Sequence, residues 1–139
     1  MVQFSPTHSA KGNEMGDRAQ VAIKSGNEKV YLYAHWSGTE VYKAAAQAVI
    51  DAPDRHNDPE YFARVVFCRM VSKNDLLETT GFGIGLHKHG DTEHPIPIFD
   101  CDSGKVRFEK ASSYDEVPAG DMTFKQFAVD ALAGKFDEL

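Results

Sequence analysis

Two neighbouring stretches of alternating side chains constrain the fold of this chain more than any other feature. In residues 16–24 the apolar side chains Ala19, Val21 and Ile23 fall on one side and the polar Gln20 and Lys24 on the other. Residues 30–36 alternate in the same way between apolar side chains and tyrosine or histidine. A two-residue period is typical of a β-strand with one buried face. Residues 25–28, Ser-Gly-Asn-Glu, supply turn residues between the two stretches. The pattern therefore predicts an antiparallel hairpin.

Three helices are predicted from capping residues that precede apolar stripes. Ser37-Gly38-Thr39-Glu40 fits the S-x-x-E capping box, so the first helix is expected to start at Gly38. Asp58 followed by a proline predicts the start of a second helix, whose residues 61–72 are apolar almost all round. Thr123, with Gln126 three residues later, predicts the cap of a third helix.

Three further strands are predicted in the second half of the chain, at residues 79–89, 95–100 and 105–110. The first has Phe82, Ile84 and Leu86 on one face and glycines at 81, 83 and 85 on the other. Glycine is a poor strand residue, so the three glycines predict close approach of a helix or a ligand to the backbone. The prolines at 95 and 97 favour an edge position for the second of these strands.

The order strand, strand, helix, helix, strand, strand, strand, helix predicts an α+β fold, in which an antiparallel or mixed sheet of about five strands carries three helices. Residues 1–15 are polar, aperiodic and rich in Ser, Gly and Asn, as in a flexible N-terminal leader. Residues 16–139 are predicted to form a single domain, because this length is usual for one hydrophobic core.

Charge and composition exclude several classes of function. The net charge of −6 and the pI near 5.4 disfavour nucleic-acid binding, since proteins that bind nucleic acid need a basic surface to neutralise phosphates. No apolar run is long enough to span a membrane and no secretory signal is recognisable, so a cytoplasmic protein without membrane association is expected. The two cysteines, Cys68 and Cys101, are predicted to be reduced core residues.

The histidines form one candidate site. His87, His89 and His94 lie within eight positions, and His-x-His on a strand places both rings on one face, a spacing that can chelate a divalent metal ion. His35, Asp100 or Asp102 could complete such a site. The alternative is a polar loop with solvated histidines, and no other cofactor is predicted.

The end of the predicted hairpin forms a second candidate site, because a strand there runs directly into a helix start. Backbone N–H groups at a helix start favour an anion, with an aromatic ring as a stacking plane and a basic residue as charge partner. Glu40 would oppose an anion, and the alternative is that Ser37 only caps the helix while Trp36 anchors the core. Tyr31 is a further stacking candidate, and the predicted ligand-binding residues are His35, Trp36, Ser37, Gly38, Thr39, Tyr33 and Arg55.

No catalytic set is predicted. Ser37 with His35 as its base is sterically awkward at two residues' separation on a strand, and the nucleophile motif G-x-S-x-G does not occur. The acidic residues within 51–60 and 113–121 favour instead a surface that steers a protein partner.

Several short motifs resemble a group of small bacterial and phage proteins. Met15-Gly16-Asp17-Arg18-Ala19 matches the typical start of that group, and residues 31–38 match its Tyr-Leu-x-x-His-Trp-x-Gly stretch. The resemblance continues at residues 61–64, 81–84 and 94–98 and covers about residues 15 to 110. It implies a phage or mobile-element accessory role and no reaction.

The sequence thus leads to two expectations of function. The first is a non-enzymatic accessory protein that binds a host partner protein or a small anionic ligand and thereby inhibits host defence. The alternative is a metal-dependent hydrolase that uses His87, His89, His94 and a carboxylate. The oligomeric state is left open, and a homo-oligomer is one option.

Overall fold

A computed structural model describes residues 16–72, 81–89, 92–111, 113 and 121–139. In these residues it contains six strands and three helices. The strands are β1 (Ala19–Ser25), β2 (Glu28–Ala34), β3 (Phe82–Gly85), β4 (Ile96–Asp100), β5 (Lys105–Glu109) and β6 (Met122–Thr123), and the helices are α1 (Glu40–Asp51), α2 (Pro59–Val71) and α3 (Phe124–Leu132).

The six strands form one mixed sheet in the order β3-β2-β1-β4-β5-β6. β1 and β4 are parallel, whereas the other neighbouring strands are antiparallel. The predicted α+β class and the hairpin of β1 and β2 are confirmed. The sheet has one strand more than expected, because the two residues of β6 are too few to show an alternating pattern.

All three helices pack against one face of the sheet and form the main core. Phe99 of β4 lies at its centre, with ring centroids 5.5 Å from Phe62 of α2 and 5.1 Å and 4.9 Å from Phe124 and Phe127 of α3. Alanines at 45, 46 and 48 in α1 are fully buried, so this helix can lie close to its neighbours.

Both predicted caps of the later helices are confirmed. The Asp58 side chain accepts a hydrogen bond from the backbone N–H of Tyr61, with Pro59 at the first helical position. The Thr123 hydroxyl accepts one from the N–H of Gln126 at 3.0 Å. In each case a side-chain oxygen satisfies an N–H group that the helix itself leaves without a partner.

The second face of the sheet is also covered, which the alternation in β1 did not predict. Ala22, Tyr31, Ile96 and Ile98 form a small buried cluster there. Gln20 beside it is buried, and its side-chain amide pairs with the backbone of His89 and with the Thr92 hydroxyl. β1 is therefore buried on both faces rather than half-exposed, because a distant segment folds over it.

The expectation that the prolines place β4 at an edge is wrong. β4 lies between β1 and β5. Its pairing with β1 begins at Ile98, after Pro97, so the missing proline N–H falls before that ladder starts. Pro97 itself is buried opposite Phe108 of β5.

The two cysteines differ in environment, so the prediction that both belong to the core is half wrong. Cys68 is exposed on α2, whereas Cys101 is buried and burial, with the nearby charges of Asp100, Asp102 and Asp58, raises its pKa to about 11. Both are free thiols.

Some predicted segments lie outside the described residues. They are the leader at residues 1–15, the first two residues of the strand predicted at 79–89, and the loop around 114–120. Within the described residues no helix is both long enough and apolar enough to cross a membrane.

Candidate functional site

The first part of the site is the corner formed by residues 35–39, which connect β2 to α1. The helix begins at Glu40 with Thr39 as its N-cap, and no side chain of the cap donates or accepts a capping hydrogen bond. The N–H of Glu40 instead bonds to the backbone oxygen of Ser37 at 3.0 Å. The predicted capping box with a helix start at Gly38 is therefore wrong, because Gly38 has a positive φ of 54° that is incompatible with a helix.

Asp17 closes this corner from the other side. Its N–H donates to the carbonyl of His35 at 2.8 Å, and its own carbonyl accepts from the N–H of Gly38 at 2.8 Å. The Asp17 carboxylate lies against Gly38 so closely that any side chain there would overlap it. Asp17 and Glu40 thus place two carboxylates near the start of α1, and their charge opposes the anion expected at this position.

Aromatic rings and imidazoles pack together beside the corner. The Tyr33 hydroxyl is 3.0 Å from Nδ1 of His35, and the Tyr33 ring stacks on His89 with centroids 4.3 Å apart. His35 contacts Trp36 edge to face at 4.6 Å. The structure therefore brings together Tyr33 with five of the predicted residues, His35 to Thr39, and adds His89 from the predicted metal site.

Arg55 is not part of this corner. α1 separates the two, and a helix of 12 residues rises about 18 Å along its axis. Arg55 follows the C-terminal end of α1, where its guanidinium lies 4.7 Å from the centre of the Tyr61 ring.

The three histidines of the predicted metal site have different surroundings. His94 is held by Asp17 Oδ1 at 2.6 Å from Nε2 and by the backbone oxygen of Leu139 at 2.7 Å from Nδ1. His89 stacks on Tyr33, and His87 is exposed. Among the described residues no three His, Cys, Asp or Glu side chains form a group that could hold a metal ion.

Asp100 and Asp102 lie at the other end of the sheet. Lys24, at the end of β1 furthest from Asp17, pairs in register with Asp100, and seven strand residues extend about 23 Å. Both carboxylates accept backbone hydrogen bonds in turns there. The metal site stays a prediction, which elemental analysis of untagged protein would test.

The second part of the site is the edge strand β3 beside the corner. Trp36, Ile84 and Leu86 are exposed to 58%, 63% and 76%. Trp36 is thus not a core anchor. Its ring packs on Gly81, so the group that approaches this glycine closely is a side chain of the corner rather than the expected helix or ligand. No atom of the described residues lies within 4 Å of a Cβ built on Gly83, so no described helix packs there, and close approach of a ligand stays a prediction.

The backbone N–H and C=O groups of β3 alternate between the side that faces β2 and the outer edge. The N–H of His35 donates to the carbonyl of Gly81 at 2.9 Å, so Gly81 directs its polar groups towards β2. Successive residues of a strand direct them to opposite sides. Phe82 and Ile84 therefore direct N–H and C=O to the outer edge, with which no strand in the described part of the chain pairs.

The sequence signal for this surface was the run of alternate glycines, which marked β3 as unusual without showing which side was open. Comparison of the chain with protein-family models, with curated proteins and with solved structures gives no significant match in any of the three.

Proposed function

We propose that this chain is a non-enzymatic binding protein that captures an extended segment of a partner protein along the outer edge of β3. The segment would add a strand to the sheet through the N–H and C=O groups of Phe82 and Ile84. Its side chains would contact Trp36, Ile84 and Leu86. This mode of recognition takes affinity from main-chain hydrogen bonds and specificity from side-chain contacts.

The observation that carries the proposal is a strand edge that no described strand covers, beside exposed apolar side chains. Edge strands are usually protected by lysine, proline, a bulge or a covering segment, because an open edge pairs with other chains. β3, with the sequence Phe-Gly-Ile-Gly, has neither a charge nor a proline. Large apolar side chains concentrated at such an edge are typical of an interaction site.

The site favours a strand over a small anion. Asp17 and Glu40 repel an anion at the start of α1, whereas strand addition needs no charge at that position. Gly83 offers no side chain on its face of β3, so a partner's side chains can lie over that face without a clash. As part of the same proposal, this chain would perform the accessory role implied by the phage resemblance by pairing β3 with an extended segment of a host protein.

A proline substitution separates strand addition from ordinary apolar contact. Ile84→Pro removes an N–H that faces outwards and leaves the hydrogen bonds to β2 intact. Ile84→Ala removes the same side chain and keeps the N–H. With partners isolated from a host lysate and then purified, strand addition predicts that Ile84→Pro binds at least about tenfold more weakly than Ile84→Ala, since a lost hydrogen bond leaves a buried group without a partner.

Amide exchange gives the direct measurement. On binding, the N–H groups of Phe82 and Ile84 should exchange with solvent more slowly, while those of α3 should not change. Equal binding by the two Ile84 variants, or a bound complex in which neither amide is protected, would contradict the proposal. A dimer that forms with increasing concentration and is abolished by Ile84→Pro would identify the captured strand as that of a second copy.

A further inference from the structure

A cleft at the opposite end of α1 contains three arginines. It has a volume of about 420 Å³ and is formed by the end of α1, the following loop and the outer face of α2. Arg55, Arg64 and Arg69 line it together with Tyr61 and Cys68. The volume is within the usual range for a site that binds a small molecule, which is roughly 300–1,000 Å³.

Tyr61 holds two of the arginines in place. The guanidinium carbons of Arg55 and Arg64 each lie 4.7 Å from the centre of its ring. Cation–π contacts of this kind order a long side chain in advance, so less conformational entropy is lost when a ligand binds. The two guanidinium groups are therefore both ordered by the same ring before any ligand is present.

Carboxylates lie beside two of the three arginines. Asp51 Oδ2 is 2.7 Å from Nε of Arg69, and Asp58 Oδ2 is 3.8 Å from a terminal nitrogen of Arg55. Arg64 has no carboxylate within salt-bridge distance in the described part of the chain. The terminal nitrogens of Arg64 and Arg69 can thus still donate to a ligand, and a guanidinium fork matches the oxygens of a phosphate group.

We propose that this cleft binds a small phosphorylated metabolite, whose phosphate group is held by Arg55, Arg64 and Arg69. The net charge of −6 does not prevent this, because charges further away than about 8 Å are screened at physiological salt. Asp51 and Asp54, which also line the cleft, are the groups that oppose the phosphate. The site lies beyond the far end of α1 from the corner at residues 35–39, so it is independent of partner binding at β3.

Cys68 provides a direct probe of occupancy. It is exposed in the cleft, whereas Cys101 is buried. Because the pKa of Cys101 is raised, this thiol forms little of the reactive thiolate and should not be alkylated. The rate of Cys68 alkylation by neutral iodoacetamide is measured against increasing glucose 6-phosphate, with glucose as the unphosphorylated control and sodium chloride used to hold ionic strength constant. We expect glucose 6-phosphate to slow the alkylation saturably, by about tenfold at ten times its dissociation constant, and glucose to have no effect.

Three variants with the fold verified by circular dichroism complete the test. Arg64→Gln should raise the dissociation constant for glucose 6-phosphate by about tenfold or more, because hydrogen bonds to a charged group are strong. Asp54→Asn should lower this dissociation constant by about two- to fivefold, the range expected for one exposed charge pair. Lys125→Gln, on the exposed side of α3, removes the same charge elsewhere and should have no effect.

Saturable protection by glucose 6-phosphate that follows this order of variants supports the proposal. Protection that is absent, that glucose reproduces, or that Arg64→Gln leaves unchanged would overturn it. Equal weakening by Lys125→Gln would also overturn it, since the effect would then be one of net charge only.

Discussion

The Trp36 indole packs directly on the α-carbon of Gly81. A Cβ built on Gly81 would lie 2.8 Å from Cε3 of the indole and 3.0 Å from Cβ of His35. Gly81 also has a positive φ of 77° and accepts the hydrogen bond from His35 that starts the pairing of β2 with β3. The position of the exposed tryptophan and the start of the edge strand therefore depend on one residue without a side chain.

We predict that Gly81→Ala destabilises the protein, whereas Gly83→Ala does not. Alanine at position 81 combines strain at a positive φ with a steric overlap and should lower the free energy of unfolding by about 1–3 kcal/mol. At position 83 the added Cβ meets no atom of the described residues within 4 Å, so the change should stay within about 0.5 kcal/mol. Urea denaturation of both variants measures the difference. Equal losses would show that Trp36 does not depend on the absence of a side chain at Gly81.

The parts of the fold that local patterns predicted are those where local physics decides the structure. The β1–β2 hairpin follows from alternation on both sides of a turn. The starts of α2 and α3 follow from Asp58 and Thr123, whose side chains bond within three residues. In each case the groups that interact are neighbours in the sequence, so a single sequence is sufficient to identify them.

The parts that were missed depend on groups far apart in the sequence. The start of α1 was predicted wrongly because the Asp17 backbone pairs with His35 and Gly38, an interaction that no local motif indicates. The alternation in β1 predicts an exposed face that includes Gln20, whereas residues about 70 positions later bury this side chain. Charge alone groups Arg55 with the corner, although α1 lies between them.

Tyr42 should make stability depend on alkaline pH. Its hydroxyl donates to the carbonyl of Pro95 at 2.7 Å, and burial, with a smaller effect of the Asp17 charge, raises the pKa of this phenol well above its usual value. A raised pKa stabilises the folded state below the unfolded-state pKa of about 10, and this contribution is lost as the pH rises above it.

The variant Tyr42→Phe separates this effect from other ionisations. At pH 7 we expect it to lower the free energy of unfolding by about 1 kcal/mol, because the Pro95 carbonyl loses its donor. Above pH 10 the stability of the unmodified chain should fall more steeply than that of the variant. Chemical denaturation at a series of pH values tests this, and parallel pH profiles would contradict it.

Asp100 should contribute to stability at neutral pH and lose that contribution in acid. Burial acts to raise its pKa, but the backbone N–H groups of Ser103 and Asp102 and the Lys24 ammonium outweigh burial and hold the pKa below its usual value. A lowered pKa stabilises the folded state above the unfolded-state value of 3.8, and the effect disappears as the pH falls below it.

Replacement of Asp100 by asparagine should therefore cost about 1 kcal/mol at pH 7 and much less near pH 3. Asp54→Asn is the matched control, because Asp54 is exposed and should change stability little at either pH. Thermal unfolding of the three proteins at both pH values gives the comparison. A deficit for Asp100→Asn that is equally large at pH 3 would mean that the ionised carboxylate is not what stabilises the turn.

Glu109 links two lysines on the second face of the sheet, and its removal should be more damaging than the loss of an exposed ion pair. Its carboxylate oxygens lie 3.1 Å from Nζ of Lys29 and 3.0 Å from Nζ of Lys88, and the side chains of Glu109 and Lys88 are 8% and 6% exposed. Glu109→Gln removes a buried carboxylate charge that faces the buried Lys88 ammonium, so we expect a loss of about 3 kcal/mol. The double variant Lys88→Met with Glu109→Met removes both charges and should recover most of that loss. Denaturant unfolding of the single and double variants measures the difference, and a double variant no more stable than Glu109→Gln would contradict this prediction.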